Sequence, residues 1–297
     1  MPKIKVFTPA DVTNQVNPAA IGSDNLQLLA QGDSWFSIGQ IGIPPTSNLF
    51  DGMSTSVQAC VVNCAHPGAV LRRMTDTVRE PFFLSMLNGK SSQAWGGILL
   101  SGGGNDMIDA AQAGPANSPA LRLLATQAEW TDAVGGDKYL SNAGWSTFAD
   151  HLTAVVAGFL AARDSGPNKG VPVIMHSYDF AVPRNAGAGL GAGPWLYPAM
   201  RAFNIPQADW QIAARALLTR LQVLLDHIAA TTADGSLHVV HTQGTLIPAQ
   251  TTDTGGTLDW ANEIHPSIPG YQKLSALWQP VLDQVLSGIA APTPALA

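Results

Sequence analysis

Five short runs of consecutive apolar residues punctuate the chain, at 26–30, 57–62, 97–100, 171–175 and 237–241, each bounded by Gly, Asn, His or Ser. Residues that are apolar in succession, rather than alternately, suit strands buried on both faces. Helical patterns lie between and after them, at 70–87, 141–162, 207–230 and 271–289. In the third, Ala213, Leu217, Leu218, Leu221, Leu224, Leu225 and Ile228 recur at threes and fours, which predicts one apolar stripe. Buried strands alternating with long helices predict an α/β fold with a parallel sheet, since crossover helices must cover both of its faces. Ligands bind such sheets beyond the carboxyl ends of the strands, so the loops that follow the strands are where chemistry is expected. Two irregular stretches, 112–136 and 181–206, are expected to act as a lid over that edge. No internal repeat or linker interrupts the pattern, which predicts one domain over residues 1–297.

Composition narrows the partners. Only 12% of residues are charged against a usual ~25%, and 46% are hydrophobic, enough to fill a large core. The net charge is −6 with no block of basic residues, so nucleic acid would meet a repulsive field and is not expected as a partner. No 18-residue stretch is free of charged and polar interruption, and the first residues lack the apolar run of an export signal. A chain without an integral membrane segment, in the cytoplasm, is therefore expected. Cys60 and Cys64 match no zinc spacing and read as buried structural thiols.

Three of the loops after predicted strands carry residues able to do chemistry. After the first comes Gly32-Asp33-Ser34-Trp35. A Ser at a strand-to-helix turn exposes its hydroxyl at the sheet edge and keeps its own N–H unpaired, as suits a nucleophile; otherwise Ser34 merely starts a helix. After the second, Gly68 precedes a helical stretch and offers a backbone N–H. After the third, Gly102-Gly103-Gly104-Asn105-Asp106 lets the backbone approach a ligand, and Asn105 presents an amide to a developing oxyanion. A dinucleotide loop fails on spacing, because Met107 stands where a third Gly would be needed. Near the end, His265-Pro266 falls just before the last helix and places a base at the same edge. His176 and His241 end predicted strands, and His238 and His241 point to opposite faces, which makes a poor metal pair.

Taken in order, Gly32-Asp33-Ser34, Gly68, Gly104-Asn105-Asp106 and His265 resemble the four blocks of the SGNH, or GDSL-type, hydrolases. The resemblance implies a three-layer α/β/α sandwich with a five-stranded parallel sheet of flavodoxin-like type, and hydrolysis of carboxylic esters without a cofactor or metal. It also implies Ser34 as nucleophile, His265 as base, and an oxyanion hole from the Ser34 and Gly68 N–H groups and the Asn105 amide. Trp35 stands where the family most often has Leu.

One position departs further. The family's last block is usually Asp-x-x-His, but three residues before His265 stands Asn262. Glu263 and Asp259 are the nearby carboxylates that substitution would call on, and a Ser34–His265 pair oriented by Asn262 is the remaining arrangement. Trp35, Trp195, Tyr197, Trp210 and Trp260 are the aromatics available to wall a pocket, with Trp35 and Trp260 nearest the motifs. The expected substrate is a small-molecule ester, with an acylated glycan, and hence a carbohydrate O-acetyl esterase, as the alternative. A non-catalytic binding module is the rival of another class, motivated by Asn262.

Overall fold

The computed structural model describes residues 1–14, 21, 24, 26–39, 47–189 and 191–287. Six strands form one sheet: β1 (Lys5–Phe7), β2 (Leu26–Gly32), β3 (Ala59–Asn63), β4 (Gly97–Ser101), β5 (Val173–His176) and β6 (Leu237–Val240). Their spatial order is β1-β3-β2-β4-β5-β6, and every neighbouring pair runs parallel. The α/β parallel sheet thus holds, but with six strands rather than five. The added strand, β1, is three residues at the sheet edge with an exposed–exposed–intermediate pattern, so it lacks the continuous apolar run that marks the other five.

The helices are α1 (Pro9–Thr13), α2 (Ser34–Ser37), α3 (Pro81–Leu87), α4 (Gly104–Gln112), α5 (Asn142–Asp164), α6 (Leu196–Ala202), α7 (Trp210–Thr231) and α8 (Ile268–Leu286). All seven members of the α7 stripe are buried. The helix expected at 70–87 is broken in two, a 3₁₀ turn at Leu71–Arg73 and then α3. Two causes act together. The Asp106 carboxylate accepts from the Leu71 N–H at 2.7 Å, and Pro81, which has no N–H to continue an earlier helix, restarts at the first turn. The end expected for the last helix at 289, and residue 190 of the second irregular stretch, lie outside the described residues.

Strand order positions the site. The chain leaves β2 for β3 on one side and then crosses to β4 on the other, so winding reverses at β2. At such a reversal the loops diverge and leave a crevice at the carboxyl ends. The loops after β2, β3 and β4 border it, and these carry Ser34, Gly68 and Asn105. Close packing there needs Gly32: a Cβ on it would lie 2.7 Å from the Ser101 Cβ and 2.9 Å from the Ser101 carbonyl oxygen.

Candidate active site

Asp33 caps α2, its Oδ1 accepting from the Trp35 N–H at 3.0 Å, and this makes Ser34 the first helical residue. The Ser34 N–H at that position has no intrahelical acceptor. The Asp33 backbone is tied to β4 by its N–H to the Ser101 carbonyl at 3.0 Å. Ser34 is therefore presented by rigid backbone on two sides.

His265 arrives from the other end of the chain. The stretch from Asp259 to Ser267 folds back on itself, with the Ser267 N–H on the Asp259 carbonyl at 2.9 Å and the Ala261 N–H on the His265 carbonyl at 2.8 Å. This fold turns Asn262 toward the His265 ring. Asn262 Oδ1 accepts from the Ile264 N–H at 3.2 Å and the His265 N–H at 2.9 Å, which identifies that atom as oxygen rather than nitrogen. The contact of 3.0 Å between the same oxygen and His265 Nδ1 then requires Nδ1 to carry the proton. Nε2 is left with a lone pair, and it faces Ser34 Oγ at 2.7 Å. Ser34 and His265 lie 231 positions apart in the chain and both are buried. Burial pushes the imidazole down to about 4, so the ring is neutral at pH 7 and able to accept a proton.

The two carboxylates considered as orienters are engaged elsewhere. Glu263 accepts from the N–H groups of Trp195, Leu196 (2.9 Å), Tyr197 (2.7 Å) and Arg184 (3.2 Å), and so caps α6. Side chains two apart leave the turn in different directions, and this one points away from the ring toward the 181–206 stretch. Asp259 accepts from the Ile247 N–H at 2.8 Å and from Lys273 Nζ at 2.6 and 2.8 Å. Neither carboxylate is brought to His265; Asn262 is.

On the opposite side of Ser34, Asn105 lies in the first turn of α4. Its Nδ2 donates to the Ala69 carbonyl at 2.9 Å, which leaves a second hydrogen on the same nitrogen. Gly68 directly precedes Ala69, in an exposed turn with φ of 76°. Asn105 and Ser34 share the lining of a small cavity, together with Trp35, Met107, Ile108, Tyr178, Leu196, Leu218 and Ile264; Gly68 does not line it. Trp35 stacks on His176 with centroids 5.1 Å apart. Trp260 is buried, donates Nε1–H to the Ile247 carbonyl at 3.1 Å, and lines a separate, larger cleft that reaches His265. Trp195 meets the His265 ring edge to face at 5.2 Å, whereas Tyr197 and Trp210 pack on each other.

A buried network under Ser34 escaped the sequence reading. The Tyr178 N–H donates to His176 Nδ1 at 3.3 Å, so His176 Nε2 holds the proton and donates to Ser101 Oγ at 2.9 Å. Ser101 Oγ donates to Asp33 Oδ1 at 2.7 Å, and the Tyr178 hydroxyl to Asp33 Oδ2 at 2.6 Å. Asp33 thus accepts three hydrogen bonds, although burial still pushes its carboxyl up to about 6. His176 is a core residue rather than a second base. The one available signal was its position at the end of β5, which aligns it with the end of β4.

No family model matches the chain, and no curated protein matches it. Among solved structures, it is similar to an extracellular lipase from Streptomyces rimosus, with 14% identity, a TM-score of 0.47, and 88% of this chain and 99% of that one covered. It is similar to a phospholipase A1 from Streptomyces albidoflavus, with 15% identity, a TM-score of 0.45, and 88% and 99% covered. It is also similar to an acetylxylan esterase from Geobacillus stearothermophilus, with 14% identity, a TM-score of 0.47, and 88% and 94% covered.

Proposed function

We propose that the chain is a serine hydrolase of carboxylic esters, of the SGNH type that its motifs resemble. The observation that carries the reading is the 2.7 Å contact from Ser34 Oγ to a His265 Nε2 whose protonation is set by Asn262. Ser34 donates its proton to Nε2 as Oγ attacks the ester carbonyl carbon, forming the C–O bond of a tetrahedral intermediate. The oxyanion is held by the Ser34 N–H and the free Asn105 Nδ2 hydrogen; the Gly68 N–H, which the resemblance would add, lies on an exposed turn outside the cavity that these two line. The imidazolium passes its proton to the leaving alcohol as the C–O bond to it breaks. Water then gives a proton to His265 as its oxygen attacks the acyl carbon, and the imidazolium returns that proton to Ser34 Oγ as the acyl–Oγ bond breaks, releasing the acid and restoring Ser34.

Asn262 holds the ring in the tautomer this sequence needs but supplies no charge to the imidazolium. In the serine-protease template, exchanging the orienting Asp for Asn costs about 10⁴-fold in rate. Here the Asn oxygen selects the tautomer with Nδ1 protonated, so the part of that loss due to a wrong tautomer is avoided. Ser34→Ala is expected to lower turnover of an aryl acetate by about 10⁴-fold or more, and a fluorophosphonate is expected to label Ser34 in the unsubstituted protein. Full activity of Ser34→Ala, or absence of labelling in folded protein, would falsify the assignment.

A further inference from the structure

We infer that the esters taken carry an acyl group of two or three carbons on a bulkier alcohol; this deepens the serine-hydrolase reading above and rests on it. The two sides of the scissile bond are told apart by the groups beside Ser34. The carbonyl oxygen must face the oxyanion donors, so the acyl group enters the cavity that Ser34 and Asn105 share. The leaving oxygen must face His265, which returns the proton to it, so the alcohol extends into the cleft that His265 borders.

The acyl side is the narrower. Its cavity is about 30 Å³, room for roughly two water-sized groups at about 10–15 Å³ each. Beyond the carbonyl carbon that allows a methyl or an ethyl. Its lining includes Met107 of α4, Leu196 of α6 and Leu218 of α7, which are 2%, 1% and 4% exposed. None is a loop tip free to swing away. The Leu196 N–H is fixed on the Glu263 carboxylate at 2.9 Å, and the carbonyl of Leu218 accepts from Gln243 Nε2 at 2.6 Å. A longer chain must therefore displace packed side chains from three helices. The alcohol side is far larger: among the described residues, the cleft bordered by Asn262, His265, Trp260, Gly187 and Ile268 is about 690 Å³.

The test is kcat/KM on aryl acetate, butyrate and octanoate, with phenyl and naphthyl acetates as the alcohol pair. The expected profile falls from acetate, by about tenfold or more for each methylene beyond the space, and naphthyl acetate is turned over at least as fast as phenyl acetate. Leu218→Ala is expected to raise the butyrate-to-acetate ratio by about tenfold; Leu218→Val, a smaller truncation, shifts it in the same direction should the alanine variant fail to fold. A flat or rising wild-type profile, with Ser34 labelled by fluorophosphonate, overturns this inference and leaves the hydrolase reading standing. No turnover of any ester and no labelling overturns both.

Discussion

The residue on which the reading of the site turns is Asn262, because its oxygen does the orienting that a carboxylate does in the resembled family. That oxygen accepts three N–H groups, two from the backbone and one from the His265 ring. The cradle would serve a carboxylate equally well. Asn262→Asp is therefore expected to keep the geometry while placing a full negative charge 3.0 Å from Nδ1. An opposite charge at that distance favours the imidazolium and raises its pKa, by about 1 to 3 units. In the unsubstituted protein the acid limb of the kcat/KM profile should fall near pH 4, where burial has pushed the ring. In Asn262→Asp it should move up by at least about one unit, with a higher plateau rate because the charge that forms during turnover is now compensated. An acid limb that stays in place would show that Asn262 does not contact the working ring.

At the scale of elements, the Glu263 carboxylate is the densest of the links that join the 181–206 stretch to the His265 turn, beside the Glu263 N–H, which donates to the Ala186 carbonyl at 2.9 Å. Glu263 accepts four backbone N–H groups, those of Arg184, Trp195, Leu196 and Tyr197. Arg184 closes the link from the other side, donating to the Asn262 carbonyl at 2.6 Å. Glu263→Gln retains one acceptor oxygen and replaces the other with an NH₂ that meets backbone N–H groups. Hydrogen bonds to a charged group contribute about 1.5–3 kcal/mol each, so a loss of roughly 2–4 kcal/mol in chemical denaturation is expected. The pH dependence of whatever ester hydrolysis remains should keep its midpoint, since Glu263 does not touch the ring; a shifted midpoint would restore Glu263 as the orienting acid. This link also marks where sequence reading stops. Ser34, Asn105 and His265 were legible because the ends of β2 and β4, and the turn before α8, fix where they stand. The role of Glu263 was not, because two of its partner amides lie 66 and 67 positions earlier in the chain. The Asp33–Ser101–His176–Tyr178 network was hidden for the same reason, since only the adjacency of β2, β4 and β5 brings those side chains together. β1 was hidden for a different one, being too short and too exposed to carry an apolar run.

Across the whole molecule, the low count of charged groups places unusual weight on the few buried titratable ones. Burial holds His265 down to about 4 and His176 down to about 3, against an unfolded value near 6.5. As pH falls below about 6.5, the unfolded chain binds a proton at each of these positions that the folded chain refuses. Stability then falls by about 1.4 kcal/mol per pH unit for each ring. Asp33 acts with the opposite sign. Its carboxyl, raised to about 6 by burial, binds a proton in the folded state at a pH where the unfolded chain does not, and so offsets one of the two rings between about pH 6 and 4. These three groups together contribute a net slope of one proton in that window and none above pH 7. His265→Gln removes one ring from the sum. Denaturation midpoints taken at pH 7, 6, 5 and 4 should therefore show a shallower acid slope for His265→Gln than for the unsubstituted protein, by about 1.4 kcal/mol per pH unit between pH 6 and 4. Equal slopes would mean that His265 takes up its proton within the folded state at an ordinary pH, and that burial does not hold the ring neutral.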